Sequence, residues 1–171
     1  TGIERTTGIV KSLSAYSRNE ETRLYKCNIN EVIDNCLIML SNELKTRIDV
    51  VKHYSEEIPY VMANEGRLHQ AFLNILNNAV QAIEGNGKIT VRTTLIDDTV
   101  EISIEDTGIG IAPENLKFIY DPFFTTKDPG KGTGLGLSIT RRIVHEHSGT
   151  IRCISKVHEG TEFILNFPLN F

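Results

Sequence analysis

The chain has 171 residues, of which 40% are hydrophobic and 23% charged, and its formal net charge is −4. This size and composition indicate one globular domain with a modest attachment, and they exclude a disordered or fibrous protein. The acidic balance argues against a nucleic-acid or anionic-membrane binder, which needs a basic surface, so we expect no nucleic-acid partner. No apolar run approaches the ~20 residues of a membrane span, and the polar start shows no signal peptide.

The first 18 residues predict an amphipathic helix whose apolar positions repeat at spacings of three and four. A short helix with one apolar stripe needs a partner to cover it. It either docks on the chain's own globular part or is the cut end of a dimeric helical bundle, and the polar residues that follow favour the bundle. Residues 19–27 are aperiodic and predict a linker. Because the chain starts at Thr1 rather than at methionine, we expect a piece of a longer protein.

Residues 28–171 predict an α+β domain. Apolar residues that share one face predict helices at 30–45, 65–83 and 135–147. Short alternating or apolar runs predict strands at 48–54, 60–62, 88–95, 99–104, 150–155 and 161–168. The expected fold is a two-layer α/β sandwich, in which three helices cover one face of a mixed, mostly antiparallel sheet.

The three cysteines, Cys27, Cys36 and Cys153, form no Cys-x-x-Cys pair and sit among apolar neighbours. Neither a disulfide framework nor a zinc site is expected from this odd, scattered set. A reducing, cytoplasmic location fits it.

Two asparagines on the second predicted helix offer paired amide oxygens. Asn74 and Asn78 are four residues apart and project from the side opposite the apolar face. Amide oxygens suit Mg²⁺, which takes few protein ligands and completes its shell with phosphates and water. The alternative is an ordinary polar helix face.

A carboxylate and two glycines end the strand predicted at 99–104. The segment reads Asp106-Thr107-Gly108-Ile109-Gly110. A carboxylate at a strand end can accept a hydrogen bond from an exocyclic amine, and the glycines let a ligand ring approach the backbone. A tight turn alone would need the glycines but not the aspartate.

A second glycine-rich segment, residues 130–136, opens the last predicted helix with the sequence Gly-Lys-Gly-Thr-Gly-Leu-Gly. Glycines and free N–H groups at a helix N-terminus form an anion site. No strand precedes the segment directly, which excludes a Rossmann turn. Gly132 stands where a Walker A loop needs Ser or Thr after Lys131.

Two adjacent aromatics lie between the glycine segments, in the sequence Asp121-Pro122-Phe123-Phe124-Thr125-Thr126-Lys127. Adjacent aromatics in a polar loop suggest a flap that docks on apolar surface. The lysine that follows them either reaches a terminal phosphate as a point charge or is a solvated surface residue.

The order of these segments resembles the ATP-binding catalytic domain of the sensor histidine kinases of two-component systems. The matching series is an asparagine helix, Asp-x-Gly-x-Gly, Phe-Phe and Gly-x-Gly-x-Gly. That domain has the Bergerat (GHKL) fold, shared with gyrase, Hsp90 and MutL, and the resemblance covers residues 28–171. It implies ATP and Mg²⁺ as cofactors.

The resemblance also implies a role for each segment. Asn78 would be the principal Mg²⁺ ligand and, with Lys127, the catalytic residue, while Asn74 would assist the metal. Asp106 would bond the adenine amino group, and the loop at about 112–133 would be the ATP lid. The remaining nucleotide-binding positions implied are Gly108, Gly110, Phe124, Gly132, Thr133, Gly134, Leu135, Gly136 and Thr161.

The implied reaction transfers the γ-phosphoryl of ATP to a histidine on a dimerisation domain, and onward to the receiver domain of a response regulator. Residues 1–18 then resemble the end of the second helix of that dimerisation bundle. The phosphoacceptor motif is absent from the sequence, so the chain alone is not expected to phosphorylate itself. The resemblance implies a homodimeric parent and a cytoplasmic location for this domain, whether or not the parent is anchored in a membrane.

One position departs from the family pattern. Many histidine kinases carry a basic residue a few positions beyond the second asparagine of the helix, where this chain has Gln81. Neutralisation of the phosphates would then rest more on Mg²⁺ and Lys127.

Three alternatives stay open on the sequence. An ATPase or ATP-gated clamp of the gyrase kind needs a glutamate at position 74, and the amide of Asn74 cannot take a proton. An aspartic protease would use the triplet Asp106-Thr107-Gly108 and would have to dimerise. A non-catalytic nucleotide domain that serves as an interaction module is the third.

Overall fold

The computed structural model describes residues 23–169. The helix predicted for residues 1–18 lies outside the described part of the chain. No helix within residues 23–169 is long and apolar enough to cross a membrane.

The described residues form seven strands and five helices. The strands are β1 (Tyr25–Cys27), β2 (Ile48–Tyr54), β3 (Val61–Ala63), β4 (Gly87–Ile96), β5 (Thr99–Asp106), β6 (Thr150–Lys156) and β7 (Gly160–Pro168). The helices are α1 (Ile29–Met39), α2 (Ser41–Leu44), α3 (Glu65–Ala82), α4 (Pro113–Leu116) and α5 (Gly136–Glu146).

The main sheet has the strand order β2-β4-β5-β7-β6. Strands β2 and β4 run parallel, and the other neighbours are antiparallel, which confirms the mixed sheet expected from the sequence. Strands β1 and β3 form a separate antiparallel pair. In the central register, Asp106 at the end of β5 lies between Ile89 of β4 and Thr161 of β7.

Helices α1, α3 and α5 cover one face of this sheet, as predicted. The inward side chains of β5, Val100, Ile102 and Ile104, are buried in one hydrophobic cluster with Phe72 of α3. Strand residues that alternate with them carry polar pairs, such as Arg92 with Glu105. The structure is therefore an α+β sandwich whose second sheet face is polar.

Two local features differ from the sequence-based expectation. The end of the predicted linker forms β1, because pairing with β3 buries Cys27 opposite Val61. The single helix predicted at 30–45 breaks at Leu40 and resumes as α2. The break lets both Leu40 and Leu44 reach the core.

Candidate functional site

Helix α3 is the element on which the predicted segments converge. Its start is fixed by Asn64, whose side-chain oxygen accepts a hydrogen bond from the N–H of Arg67 at 3.0 Å. Its apolar face is buried, which turns Asn74 and Asn78 away from the core, where both are half-buried. The side chain of Asn78 forms no hydrogen bond with any residue between 23 and 169. Its amide oxygen is therefore available to a ligand.

Asn74 ties α3 to the start of α5. Its Nδ2 donates to the carbonyl of Gly136 at 3.1 Å and to the Thr140 hydroxyl at 3.3 Å. A Cβ placed on Gly136 would lie 3.7 Å from the Asn74 carboxamide carbon, so the glycine lies directly against this side chain. The amide nitrogen of Asn74 is occupied in holding the two helices together, and only its oxygen is left to assist a metal.

Asp106 is a buried carboxylate, with 5% of its surface exposed. The backbone N–H of Gly108 donates to its Oδ1 at 2.7 Å. The pKa of Asp106 is raised to about 6: burial is the main cause, the N–H groups of Gly108 and Thr161 oppose it, and the negative charge of Glu105 adds to it. The protein thus holds a poorly solvated acceptor at the end of β5.

Gly108 and Gly110 let the loop after Asp106 pack closely against the backbone of two neighbouring elements. The N–H of Ile109 donates to the carbonyl of Ala82 at 2.9 Å, at the end of α3. A Cβ on Gly108 would lie 2.6 Å from that same carbonyl oxygen, and one on Gly110 would lie 2.2 Å from the carbonyl oxygen of Lys156. Only glycine fits these close approaches, so the loop is fixed against α3 and β6.

Thr161 lies beside Asp106 and presents an acceptor to the same region. The Ser155 hydroxyl donates to the carbonyl of Gly160 at 2.9 Å and lies 2.7 Å from the Thr161 hydroxyl oxygen. Since the one proton of Ser155 goes to Gly160, the Thr161 hydroxyl must donate to Ser155. The free lone pairs of Thr161 can then accept a hydrogen bond from a ligand.

Ser155 and Gly160 were not identified from the sequence as site residues. Ser155 also accepts from the N–H of Ile111 at 2.8 Å, so it fixes both the loop after Asp106 and Thr161. A Cβ on Gly160 would lie 1.9 Å from the carbonyl oxygen of Asp106. The only signal in the sequence is the alternation that places Ser155 on the inner face of β6.

The start of α5 differs from the starts of α1 and α3. Those helices have asparagine caps, Asn28 and Asn64, and an acid in the first turn. Helix α5 has neither a side-chain cap nor an acid. The Thr133 hydroxyl accepts only from the N–H of Leu135, at 3.3 Å. The first turn of α5, which lies against Asn74, therefore offers N–H groups without a side-chain cap, an arrangement that can bind an anion.

Gly134 holds the aromatic segment against this helix start. The N–H of Phe123 donates to the carbonyl of Gly134 at 2.9 Å, and Gly134 has a φ of +68°, which favours glycine. Phe124 packs with the ring of Phe118 at 5.7 Å between centroids, as expected for a docked flap. Phe123 does not dock within the described residues, since 75% of it is exposed.

Lys127 reaches from this loop to α3. Its Nζ donates to the Oε1 of Gln81, three residues after Asn78. Its backbone N–H donates to the Thr125 hydroxyl at 3.1 Å. A Cβ on Gly132 would lie 3.0 Å from the lysine Cδ, so the side chain passes over this glycine. Partial desolvation lowers the pKa of the Lys127 ammonium.

Two residues outside the predicted set fix the ends of α3. His147 is 2% exposed; its Nε2 accepts from the N–H of Asn64 at 3.0 Å and its Nδ1 donates to the carbonyl of Ile143 at 2.7 Å. Both ring nitrogens of His147 are therefore hydrogen-bonded. Arg47 donates to the carbonyls of Val80 at 2.9 Å, Ile83 at 2.7 Å and Gly85 at 3.1 Å. Nothing in the sequence indicated that Arg47 would bind the carbonyls at the end of α3.

The chain matches the family model described as "Histidine kinase-, DNA gyrase B-, and HSP90-like ATPase" over residues 63–170. It is 36% identical over 170 residues to the signal transduction histidine-protein kinase AtoS of Escherichia coli (strain K12). That match covers 98% of this chain but 28% of AtoS, so the chain spans less than a third of that relative.

Solved structures of histidine kinases have the same fold as this chain. The catalytic domain of histidine kinase ThkA matches with a TM-score of 0.77 and 34% identity, over 85% of this chain and 95% of that one. ThkA in complex with the response regulator protein TrrA matches with a TM-score of 0.74 and 29% identity, over 98% and 48% of the two chains. These relatives support the kinase interpretation and not the clamp or the protease. The chain belongs to the histidine kinase-, DNA gyrase B- and HSP90-like ATPase family.

Proposed function

We propose that this chain is the catalytic domain of a sensor histidine kinase, which binds Mg²⁺ and ATP and transfers the γ-phosphoryl to a histidine on a dimerisation domain. The observation that carries the proposal is the convergence on the C-terminal half of α3. Asn74 contacts the start of α5, Gln81 contacts the lid lysine and Ala82 contacts the loop after Asp106.

The proposed adenine recognition rests on two neighbouring acceptors, Asp106 at the end of β5 and Thr161 at the start of β7. The carboxylate of Asp106 and the free lone pairs of Thr161 both accept hydrogen bonds. An exocyclic amine donates to such a pair, whereas the ring carbonyl of guanine at the equivalent position would not. These acceptors favour ATP over GTP.

Phosphate and metal binding would fall between α3, the start of α5 and the loop that carries Lys127. The uncapped start of α5 suits phosphate oxygens, and Lys127 adds a positive charge. No three His, Cys, Asp or Glu side chains cluster as a metal site within the described residues. The amide oxygen of Asn78, which lacks a protein partner, fits a single protein ligand to Mg²⁺, with Asn74 assisting. When bound, Mg²⁺ neutralises charge on the phosphates.

The amide at position 74 favours transfer of the γ-phosphoryl group over hydrolysis of ATP. Position 74 holds an amide whose nitrogen is engaged by α5, and an amide cannot serve as a general base for water. The chain's own residues would position ATP and neutralise its charge, which are the main tasks in phosphoryl transfer. The acceptor histidine would come from a dimerisation domain of a homodimeric, cytoplasmic parent. The solved complex of the relative ThkA with TrrA supports a response regulator as the next partner.

The test is calorimetric titration with ATP, with and without Mg²⁺, combined with an assay for phosphate release. We expect saturable binding with negligible hydrolysis. Asp106→Asn should weaken both ATP and ADP by about tenfold or more, because a hydrogen-bonded charged acceptor is lost. Asn78→Ala should abolish the Mg²⁺-dependent part of the affinity and the transfer to a supplied histidine kinase dimerisation domain.

Asn77→Ala is the matched control, since Asn77 is exposed on the same helix and should leave binding unchanged. Steady phosphate release from the wild-type chain would instead indicate an ATPase. The absence of any nucleotide binding would indicate an interaction module.

A further inference from the structure

Gln81 continues the row of carboxamides on α3. Residues 74, 78 and 81 are spaced by four and three, so their side chains follow one another along one side of the helix. Asn74 holds α5, Asn78 is available to a ligand and Gln81 accepts from the Lys127 ammonium. Within residues 23–169 this last contact is the side-chain hydrogen bond that joins the lid to α3.

Lys127 is fixed at three points along its length. The Thr125 hydroxyl accepts its backbone N–H, the surface of Gly132 lies against its aliphatic stem, and Gln81 accepts its ammonium. A lysine side chain that is free in solution loses rotamer entropy when it is captured by a ligand. A lysine that is already held at three points loses less.

The ammonium also lies at the negative end of a helix dipole. Gln81 is in the last turn of α3, which contains no basic residue of its own. Arg47 contacts the carbonyls at this helix end, but its three acceptors are Val80, Ile83 and Gly85. Lys127 therefore supplies a second cation to this end of the helix, through the carboxamide of Gln81.

We propose that Gln81 is the positioning residue for Lys127. Its carboxamide oxygen docks the ammonium beside Asn78, so that the lid brings its positive charge to the terminal phosphate from a fixed side chain. A neutral acceptor is essential to this role. A glutamate would hold the lysine as tightly but would cancel its charge and repel the phosphate. The inference rests on the proposed function for the identity of the ligand.

Binding of Mg²⁺-ATP and of Mg²⁺-ADP to the full 171-residue chain tests the proposal. We expect Gln81→Ala to weaken ATP about three- to tenfold and ADP less than about twofold, because only ATP carries the phosphate that the lysine reaches. Gln81→Glu should weaken ATP by more than Gln81→Ala. Gln70→Ala, at an exposed glutamine of the same helix, is the matched control and should change neither affinity.

A double-mutant cycle distinguishes a positioning role from a direct one. If Gln81 acts through Lys127, then Gln81→Ala should cost less than about twofold in a Lys127→Met background. Losses that simply multiply in the double variant would overturn the proposal. So would an unchanged ATP affinity in Gln81→Ala while Asp106→Asn still loses binding, a result that leaves the proposed function intact.

Limited trypsin digestion gives a readout that does not depend on nucleotide. Cleavage after Lys131, in the same loop, should be faster in Gln81→Ala than in the wild type or in Gln70→Ala. Equal cleavage rates would contradict the docking. A wild-type chain that binds no ATP would refute the proposed function, whereas the digestion would still decide whether Gln81 docks Lys127.

Discussion

At the scale of single residues, the burial of the Asp106 carboxylate lowers the stability of the folded chain. A carboxylate that ends a strand and is almost fully buried would be more stable in water, and its pKa of about 6 records that burial. The neighbouring N–H of Gly108 recovers part of the lost hydration. The same desolvation strengthens any hydrogen bond that the carboxylate accepts from a ligand.

Asp106→Asn should therefore stabilise the chain in the absence of nucleotide while it weakens nucleotide binding. The folded-state pKa is above the unfolded value of about 3.9, so the folded protein binds more protons between about pH 4 and pH 6. Stability falls as the pH rises through that window, and the full penalty is present above it. We expect the variant to gain about 1–3 kcal/mol at pH 7.5.

Thermal unfolding between pH 4 and pH 8 measures this effect. The gain should shrink as the pH falls toward 4, where the wild-type carboxyl is protonated in both states. Glu101→Gln, at a half-exposed carboxylate of the same strand, is the control and should change stability little at any pH. A variant that is less stable than the wild type at pH 7.5 would contradict the argument.

The residues proposed to bind nucleotide could be picked out from the sequence, whereas the residues that hold them in place could not. Asp106, its glycines and the paired asparagines stand in short motifs, where type and spacing are informative. Ser155 and Gly160 act on Asp106 only because β5, β7 and β6 are adjacent in a particular register. That register depends on pairing between distant segments, which a local pattern does not contain.

At the scale of elements, the C-terminus of α3 depends on Arg47. Three carbonyls at the end of this helix accept from one guanidinium, and the last turn has no basic residue of its own. The residues proposed to bind the ligand or the lid, from Asn74 to Gln81, lie in the helical turns just before this end. The position of these turns should therefore be sensitive to the arginine.

Arg47→Ala should lower the free energy of unfolding by about 1–3 kcal/mol, since it leaves carbonyls at the helix end without a donor. Arg47→Lys should recover only part of this loss, because a single ammonium cannot span all three carbonyls. Urea unfolding measures the change, with exposed Lys45→Ala as the control. Equal stability of the alanine and lysine variants would show that the guanidinium geometry is unimportant.

The elements themselves were predicted closely where one face is buried. The periodicity of α3 and the alternation in β4 and β5 gave bounds within two residues of the structure. The break at Leu40 was missed because its apolar pattern continues through both helices. Strand β1 was missed because three residues are too few to show alternation, and its pairing partner lies 34 residues or more away.

At the scale of the whole molecule, the hydrophobic core of the described residues includes β1. Cys27 joins the same buried cluster as Val61, Ala63 and the face of α3. The domain boundary predicted from the sequence, at residue 28, would cut this strand away. A boundary at residue 23 would keep it.

A chain that starts at Arg23 should bind nucleotide within about twofold of the full chain, since the cluster is intact. A chain that starts at Asn28 should be less stable by roughly 2–4 kcal/mol, because it loses buried Cys27 and uncovers β3. Denaturant unfolding of the two truncated chains compares them directly. Equal stability of the two would mean that β1 adds nothing to the fold.

The two ends of β5 differ in what surrounds them. Asp106 at one end is enclosed by neighbouring backbone, whereas Thr99 at the other follows the two-residue turn Asp97–Asp98, which joins β4 to β5. Eight residues of strand separate these ends by about 25 Å. A fluorescent protein or an affinity tag inserted at that turn would stand far from the nucleotide cleft. The turn is thus a natural position for a label that follows this domain without disturbing the proposed nucleotide site.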